Sequence, residues 1–445
     1  MRSKVLQLQR SNFEGGKVKN GLTSYPSSSA GAPARTSIHW PSAGQLILSL
    51  LAAFFSLSSA VGLAGVGFGQ LFRPAGPTQQ DLTIFVAAAG AFLTGVLVLP
   101  SAWYALLRLI DKPVVSPAWA TRLSDQPLPL ILALIVLLVT LFAGNFVAND
   151  LRIAWLLLPP LQLLAVGLPV YIFSTLGRWK LSAGSPQRNW GIFSAGLVLG
   201  PAIILVLEVL AGIGFVLLGI LYISLRPDLQ QELILLAGRI NAAGRSPEAM
   251  LKILEPYLFN PLVIATLFAF ISVVVPLIEE AFKPIGAWFV AGSHLTAAQG
   301  FAAGLLSGTG YALFENLALS NAGSDWAVTL IGRIGTGLLH ITTAGLTGWA
   351  LITAVNERRY LRLAFVYLVS VVIHGLWNVL ALVSALATLD LSGAGSLGSS
   401  FNTLARVSQW ATIGLGIMVL VIFIVLLVMN QLVRRRLSKA PEAVN

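Results

Sequence analysis

The chain has 445 residues, of which 56% are hydrophobic and only 10% charged, a composition that excludes an ordinary soluble globular domain. Its formal charge of +11 does not mark a nucleic-acid binder, because most basic residues sit in short segments between apolar runs, where they orient helices. No cysteine occurs, which excludes disulfides, thiolate nucleophiles and Cys-ligated zinc.

In chain order, residues 1–40 are rich in Ser, Gly, Asn and basic residues and lack apolar periodicity, which predicts a disordered cytoplasmic tail. The apolar run after Trp40 is longer than a signal-peptide core and reads as an uncleaved first span. Ten runs are long enough to cross a hydrocarbon layer, which needs about 20 residues each. They fall at 42–68, 82–109, 128–148, 153–176, 190–224, 262–291, 297–320, 326–355, 361–389 and 406–433, with a kink expected at Pro201 in the fifth. Most of the 28 Lys and Arg residues lie on the side of the N-terminus if ten spans are counted, so both termini are expected in the cytoplasm.

Residues 225–261 carry apolar side chains at helical spacing and predict one or two amphipathic helices on the outer face. The expected organisation is therefore a tail (1–40), five spans (41–224), an extracytoplasmic loop (225–261), a core (262–389), and a last span with a basic tail (390–445). The expected fold is an all-α polytopic membrane bundle of about ten helices, with any catalytic core in helices six to nine.

Ionisable side chains inside a bilayer are costly and usually face one another or a wet cavity. Span six carries Glu279, Glu280 and Lys283; span seven Glu315 and Asn316; span eight Arg333 and His340; span nine His374 and Asn378. Glu208 on span five stands apart. Lys283 lies four residues from Glu279 and three from Glu280, so it can bridge to either on one helix surface. Adjacent carboxylates point about 100° apart, so only one aims squarely at a given partner helix. That suggests a division of labour, one glutamate held by Lys283 and the other free for acid and base work. Measured at about 1.5 Å per residue from the outer ends, Glu279, His340 and His374 share one level, whereas Glu315 and Arg333 sit nearer the outer surface and would pair with each other.

HExxH and GxGD signatures are absent, and Ser307 is the only candidate serine nucleophile. Two mechanisms remain open. In one, Glu280 activates water while His374 and Asn378 hold an oxyanion. In the other, His340, His374 and a glutamate, nominally Glu280, bind a divalent metal such as zinc.

The segments "EEAFK" (279–283), "GYALFEN" (310–316), "GRIGTGLLH" (332–340) and "HGLWN" (374–378), in order on four successive spans, resemble the PrsW family of intramembrane proteases, relatives of the type II CAAX prenyl endopeptidases. The resemblance implies endoproteolysis of membrane-anchored proteins within the lipid bilayer, with no nucleic-acid partner. It maps the family's functional positions onto Glu279, Glu280, Lys283, Glu315, His340, His374 and Asn378. Many relatives carry Asp at the last position, and the neutral Asn378 is expected to serve by hydrogen bonding. The competing readings are a proton-coupled transporter, in which Glu208 would matter, and a scaffold whose buried charges only hold helices together.

Overall fold

The computed structural model describes residues 39–74, 78–115, 126–244, 246–258, 260–318, 323, 326–386 and 398–437. Residues 1–38 of the expected tail and the start of the expected 390–445 segment lie outside the described residues. The chain is helical along its described length: α1 (Trp40–Leu71), α2 (Gln79–Leu109), α3 (Leu128–Val147), α4 (Leu151–Gly177), α5 (Pro186–Ser194), α6 (Gly200–Ser224), α7 (Pro227–Ala243), α8 (Pro247–Leu258) and α9 (Pro261–Ala269). There follow α10 (Val275–Phe282), α11 (Ile285–Val290), α12 (Ala297–Ala318), α13 (Trp326–Glu357), α14 (Tyr360–Leu386) and α15 (Gly398–Leu437).

Nine helical stretches among the described residues are long and apolar enough to cross a membrane. The tenth expected span, 297–320, folds as the 22-residue α12 but falls outside that set. Its Gly- and Ala-rich sequence gives little apolar surface because α12 needs little: almost every residue is buried by neighbouring helices. Helix α13 is likewise enclosed. The two form a central antiparallel hairpin around which the greasier helices pack, their large apolar side chains facing outward.

Glycine makes that hairpin possible. A Cβ at Gly304 would run into the carbonyl of Ala344, one at Gly308 would meet the carbonyl of His340 at 2.7 Å, and one at Gly348 the carbonyl of Gly300. Small residues at four-residue spacing let two helix backbones approach, which is how membrane helices associate without a hydrophobic driving force between them.

Two spans are interrupted by the same device. Between α5 and α6 the residues Ala195–Leu199 form a π turn, and Pro201 follows; between α9 and α10 Phe270–Val274 form another, and Pro276 follows. A proline ring clashes with the carbonyl four residues back and offers it no N–H. Widening the turn relieves the clash, as the Gly200 N–H bonds to Ala195 O and the Val275 N–H to Phe270 O, five residues back. The kink expected at Pro201 is thus a π turn just before it.

The third interruption lies between α10 and α11, where Pro284 follows Lys283. Ser307 on α12 closes the gap: its hydroxyl donates to Lys283 O at 2.6 Å and accepts from the Gly286 N–H at 3.1 Å. The Trp288 indole N–H covers Ala281 O at 3.1 Å. Irregular backbone at membrane depth survives where protein groups satisfy it in this way.

The close hairpin generates a test. Gly304→Val should lower stability by about 2–3 kcal/mol through forced separation of α12 and α13. Gly214→Val, at a position with open space around it, should be nearly silent. Thermal unfolding in detergent measures both.

Candidate functional site

Helices α10, α12, α13 and α14 bring six polar side chains together around one ammonium group. Lys283 is fully buried, and its Nζ lies 2.7 Å from Glu280 Oε1, 3.3 Å from Glu279 Oε2, 2.6 Å from His340 Nδ1 and 3.2 Å from His374 Nδ1. As the C-cap of α10, just before Pro284, it also sits at the negative end of that helix.

Each histidine has a carboxylate at its back. His374 Nδ1 is 3.0 Å from Glu280 Oε1, and His340 Nε2 pairs with Glu315 Oε2. Glu315 is in turn held by Arg333, whose Nη2 lies 2.6 Å from Oε1 while its Nε donates to Asn316 Oδ1 at 2.8 Å. A neutral imidazole that donates one N–H keeps a lone pair on the other nitrogen. Donation to these carboxylates leaves His374 Nε2 and His340 Nδ1 as acceptors, and His374 Nε2 faces Glu279 Oε2 at 3.9 Å. Glu279 Oε2 and Glu280 Oε2 are buried without hydrogen-bond partners.

Glu279, His340 and His374 each offer a ligand atom within 4.8 Å of the others. One carboxylate and two imidazoles suit a divalent transition metal such as zinc with a position left for water, and the carboxylates behind the histidines are the partners such ligands usually have. The residues therefore fit the group. Glu279, not Glu280 as expected, completes the donor set: Glu280 is the deeper of the adjacent pair, aimed at Lys283 and His374, and its neighbour points elsewhere around the helix.

Glu315 and Arg333 pair as expected, but they join the cluster instead of standing apart from it. Side chains lean toward the N-terminus of their own helix. On the antiparallel α12 and α13, Glu315 and His340 therefore lean toward each other, which a ruler along the axes misses. Asn378 lies outside the cluster. Its Nδ2 donates to Ile271 O at 2.9 Å, a carbonyl left free because the Val275 N–H, its helical partner, bonds to Phe270 in the π turn.

One residue beside the cluster was not among those the sequence singled out. Tyr311 packs edge-on against His340, with its ring centroid 5.3 Å from Lys283 Nζ. It stands four residues before Glu315 on the same helix face, a spacing that could have flagged it. Glu208 on α6, which stands apart in the sequence, has one buried oxygen without a hydrogen-bond partner.

Ser307 is spent on the helix break and is no nucleophile. Ser307→Ala should cost about 2 kcal/mol of stability from two lost buried hydrogen bonds, with cleavage persisting in the folded fraction. Thermal unfolding and specific activity measured on the same preparation check this.

Residues 200–429, just over half of the chain and including every residue of this cluster, match the family described as PrsW family intramembrane metalloprotease. No curated protein and no solved structure matches. The buried Glu279, His340 and His374 suit water activation by a metal or by glutamate and histidine directly. The chain is a multi-pass membrane protein, and it belongs to the PrsW family of intramembrane metalloproteases.

Proposed function

We propose that Glu279 is the carboxylate that meets the reacting water, that Glu280 and Glu315 orient His374 and His340, and that the substrate is a single-span or otherwise membrane-anchored protein cut near or within the bilayer. The observation that carries this reading is the asymmetry of the two adjacent glutamates. Glu280 has no exposed surface and is committed to Lys283 and His374, whereas Glu279 keeps 10% of its side chain exposed and the longest contact to the lysine, 3.3 Å.

Glu279 takes a proton from water as the oxygen attacks the scissile carbonyl carbon. The negative charge that develops on the carbonyl oxygen is answered by Lys283. Glu279 then returns the proton to the amide nitrogen, the C–N bond breaks, and a carboxylate and an amine are released. Glu279, His340 and His374 would hold a divalent ion if one is used, and its contribution would be a lowered water pKa and a polarised carbonyl. Asn378 acts at a distance, fixing the π turn that sets the rotation of α10.

The substrate segment must be unwound before attack, since helical carbonyls are satisfied internally. Lys283 and Glu280 show no surface to solvent, so admission of that segment requires the helices around α10 to part. Counting α12 as a crossing makes ten and leaves both termini on one side, which the excess of Lys and Arg assigns to the cytoplasm of a cell-membrane protein. The expected partition at 225–261 and 262–389 goes with this topology, with α7 and α8 lying on the outer face.

Cleavage of a reconstituted single-span substrate tests the assignment. Glu279→Gln and His374→Ala should each lower turnover by at least about 100-fold with the fold retained, and Glu280→Gln should lower turnover and thermal stability together. Undiminished cleavage in Glu279→Gln and His374→Ala would sink the reading. Loss on chelation that zinc restores would identify the metal-dependent form.

A further inference from the structure

We infer that the Lys283 ammonium is the site's resident cation in the metal-free protein, and that a divalent ion binds only by displacing it. The inference rests on the reading of Glu279, His340 and His374 as metal donors and adds a competitor for them. Lys283 Nζ stands among the atoms that a metal would need, 2.6 Å from His340 Nδ1 and 3.3 Å from Glu279 Oε2. An ammonium has three donors and no acceptor. Here its two shortest contacts are to His340 Nδ1 and Glu280 Oε1, with His374 Nδ1 at 3.2 Å and Glu279 Oε2 at 3.3 Å completing the surround.

The lone pair of His340 Nδ1 is the decisive element. Its other ring nitrogen is committed to Glu315, so Nδ1 is the only atom His340 can offer to a metal, and Lys283 makes its shortest contact there. The same lone pair cannot serve both cations. Acceptor distances of 2.6–3.3 Å suit an ammonium, whereas zinc draws nitrogen and oxygen ligands to about 2.0–2.2 Å. Metal uptake therefore means withdrawal of Nζ and contraction of the donors. Lys283 has a place to retreat to, because Glu280 Oε1, three residues away on its own helix, is not one of the three donors.

Charge points the same way. With both histidines neutral, Glu279, Glu280 and Glu315 face Lys283 and Arg333, a cluster one positive charge short of balance. Removal of the lysine would leave the carboxylates still less compensated in a low-dielectric interior. The lysine thus holds the metal-free site together and weakens metal binding, two effects of one contact.

Metal content and stability test this without reference to cleavage, so a failure here is separable from a failure of the protease assignment. Wild type, Lys283→Met and Lys283→Arg are purified in detergent, stripped with EDTA and titrated with zinc chloride, with bound zinc read by mass spectrometry and unfolding followed by heating. Stripped wild type should unfold within about 3 °C of the zinc-loaded form, whereas stripped Lys283→Met should unfold at least about 10 °C lower and recover with zinc. Its zinc affinity should exceed that of wild type by about 10-fold or more, since nothing must be displaced. Lys283→Arg keeps a cation in place and should bind zinc no more tightly than wild type, which preserves the comparison if the methionine variant folds poorly. Zinc bound by Lys283→Met but not by wild type would support displacement. Equal or weaker zinc affinity in Lys283→Met, or no zinc bound by any of the three, would overturn it.

Discussion

An ammonium ion with no exposed surface in a lipid-embedded protein has to be surrounded by acceptors, and those acceptors must themselves be held. Lys283 imposes that requirement on three helices at once: two carboxylates from α10 and an imidazole from each of α13 and α14. Glu315 and Arg333 extend the network to α12 and back to α13. Breaking a buried charge network by removing one member is far more damaging than its net contribution to stability suggests. The reactive geometry and the integrity of the bundle are consequently not separate properties of this core.

The scaffold meets the requirement with backbone rather than with bulk. Glycines at 300, 304 and 308 bring α12 against α13 closely enough that the carbonyls of Ala344 and His340 lie where side chains would be. Gly375 does the same for α14, whose backbone approaches the carbonyl of Ser272. The polar side chains then converge over short distances, so little room is left for water to screen them. The greasy outer helices need only be apolar, and their sequences are correspondingly plain.

Much of this was legible in the sequence because charge is so scarce in the spans that each ionisable residue is conspicuous. Glu279, Glu280, Lys283, Glu315, His340 and His374 could all be named in advance, and helix spacing tied Lys283 to both glutamates. What spacing could not decide was which glutamate completes the set with His340 and His374, because that depends on a rotation of about 100° set by a π turn invisible to hydropathy. Asn378 was readable as a hydrogen-bonding residue but not its partner, since Ile271 O is free only when that turn has formed. The span at 297–320 was readable as a helix, yet its enclosure follows from contacts with distant segments. Ser307 looked like a nucleophile for the same reason that it repairs a helix: a hydroxyl buried beside a proline break.

The π turn at Phe270–Val274 carries one more implication, in the arithmetic of register. A π turn is a helix with one surplus residue, so it offsets the azimuth of everything downstream by one position. Closing that turn into regular α-helix with no residue lost would turn the following segment by the same angle that separates neighbouring side chains, whereas deleting the surplus residue would leave it in place. Without the turn, Glu279 would point where Glu280 points now, and Lys283 would leave its acceptors. Which of two chemically identical side chains does the chemistry is, in this chain, a matter of counting.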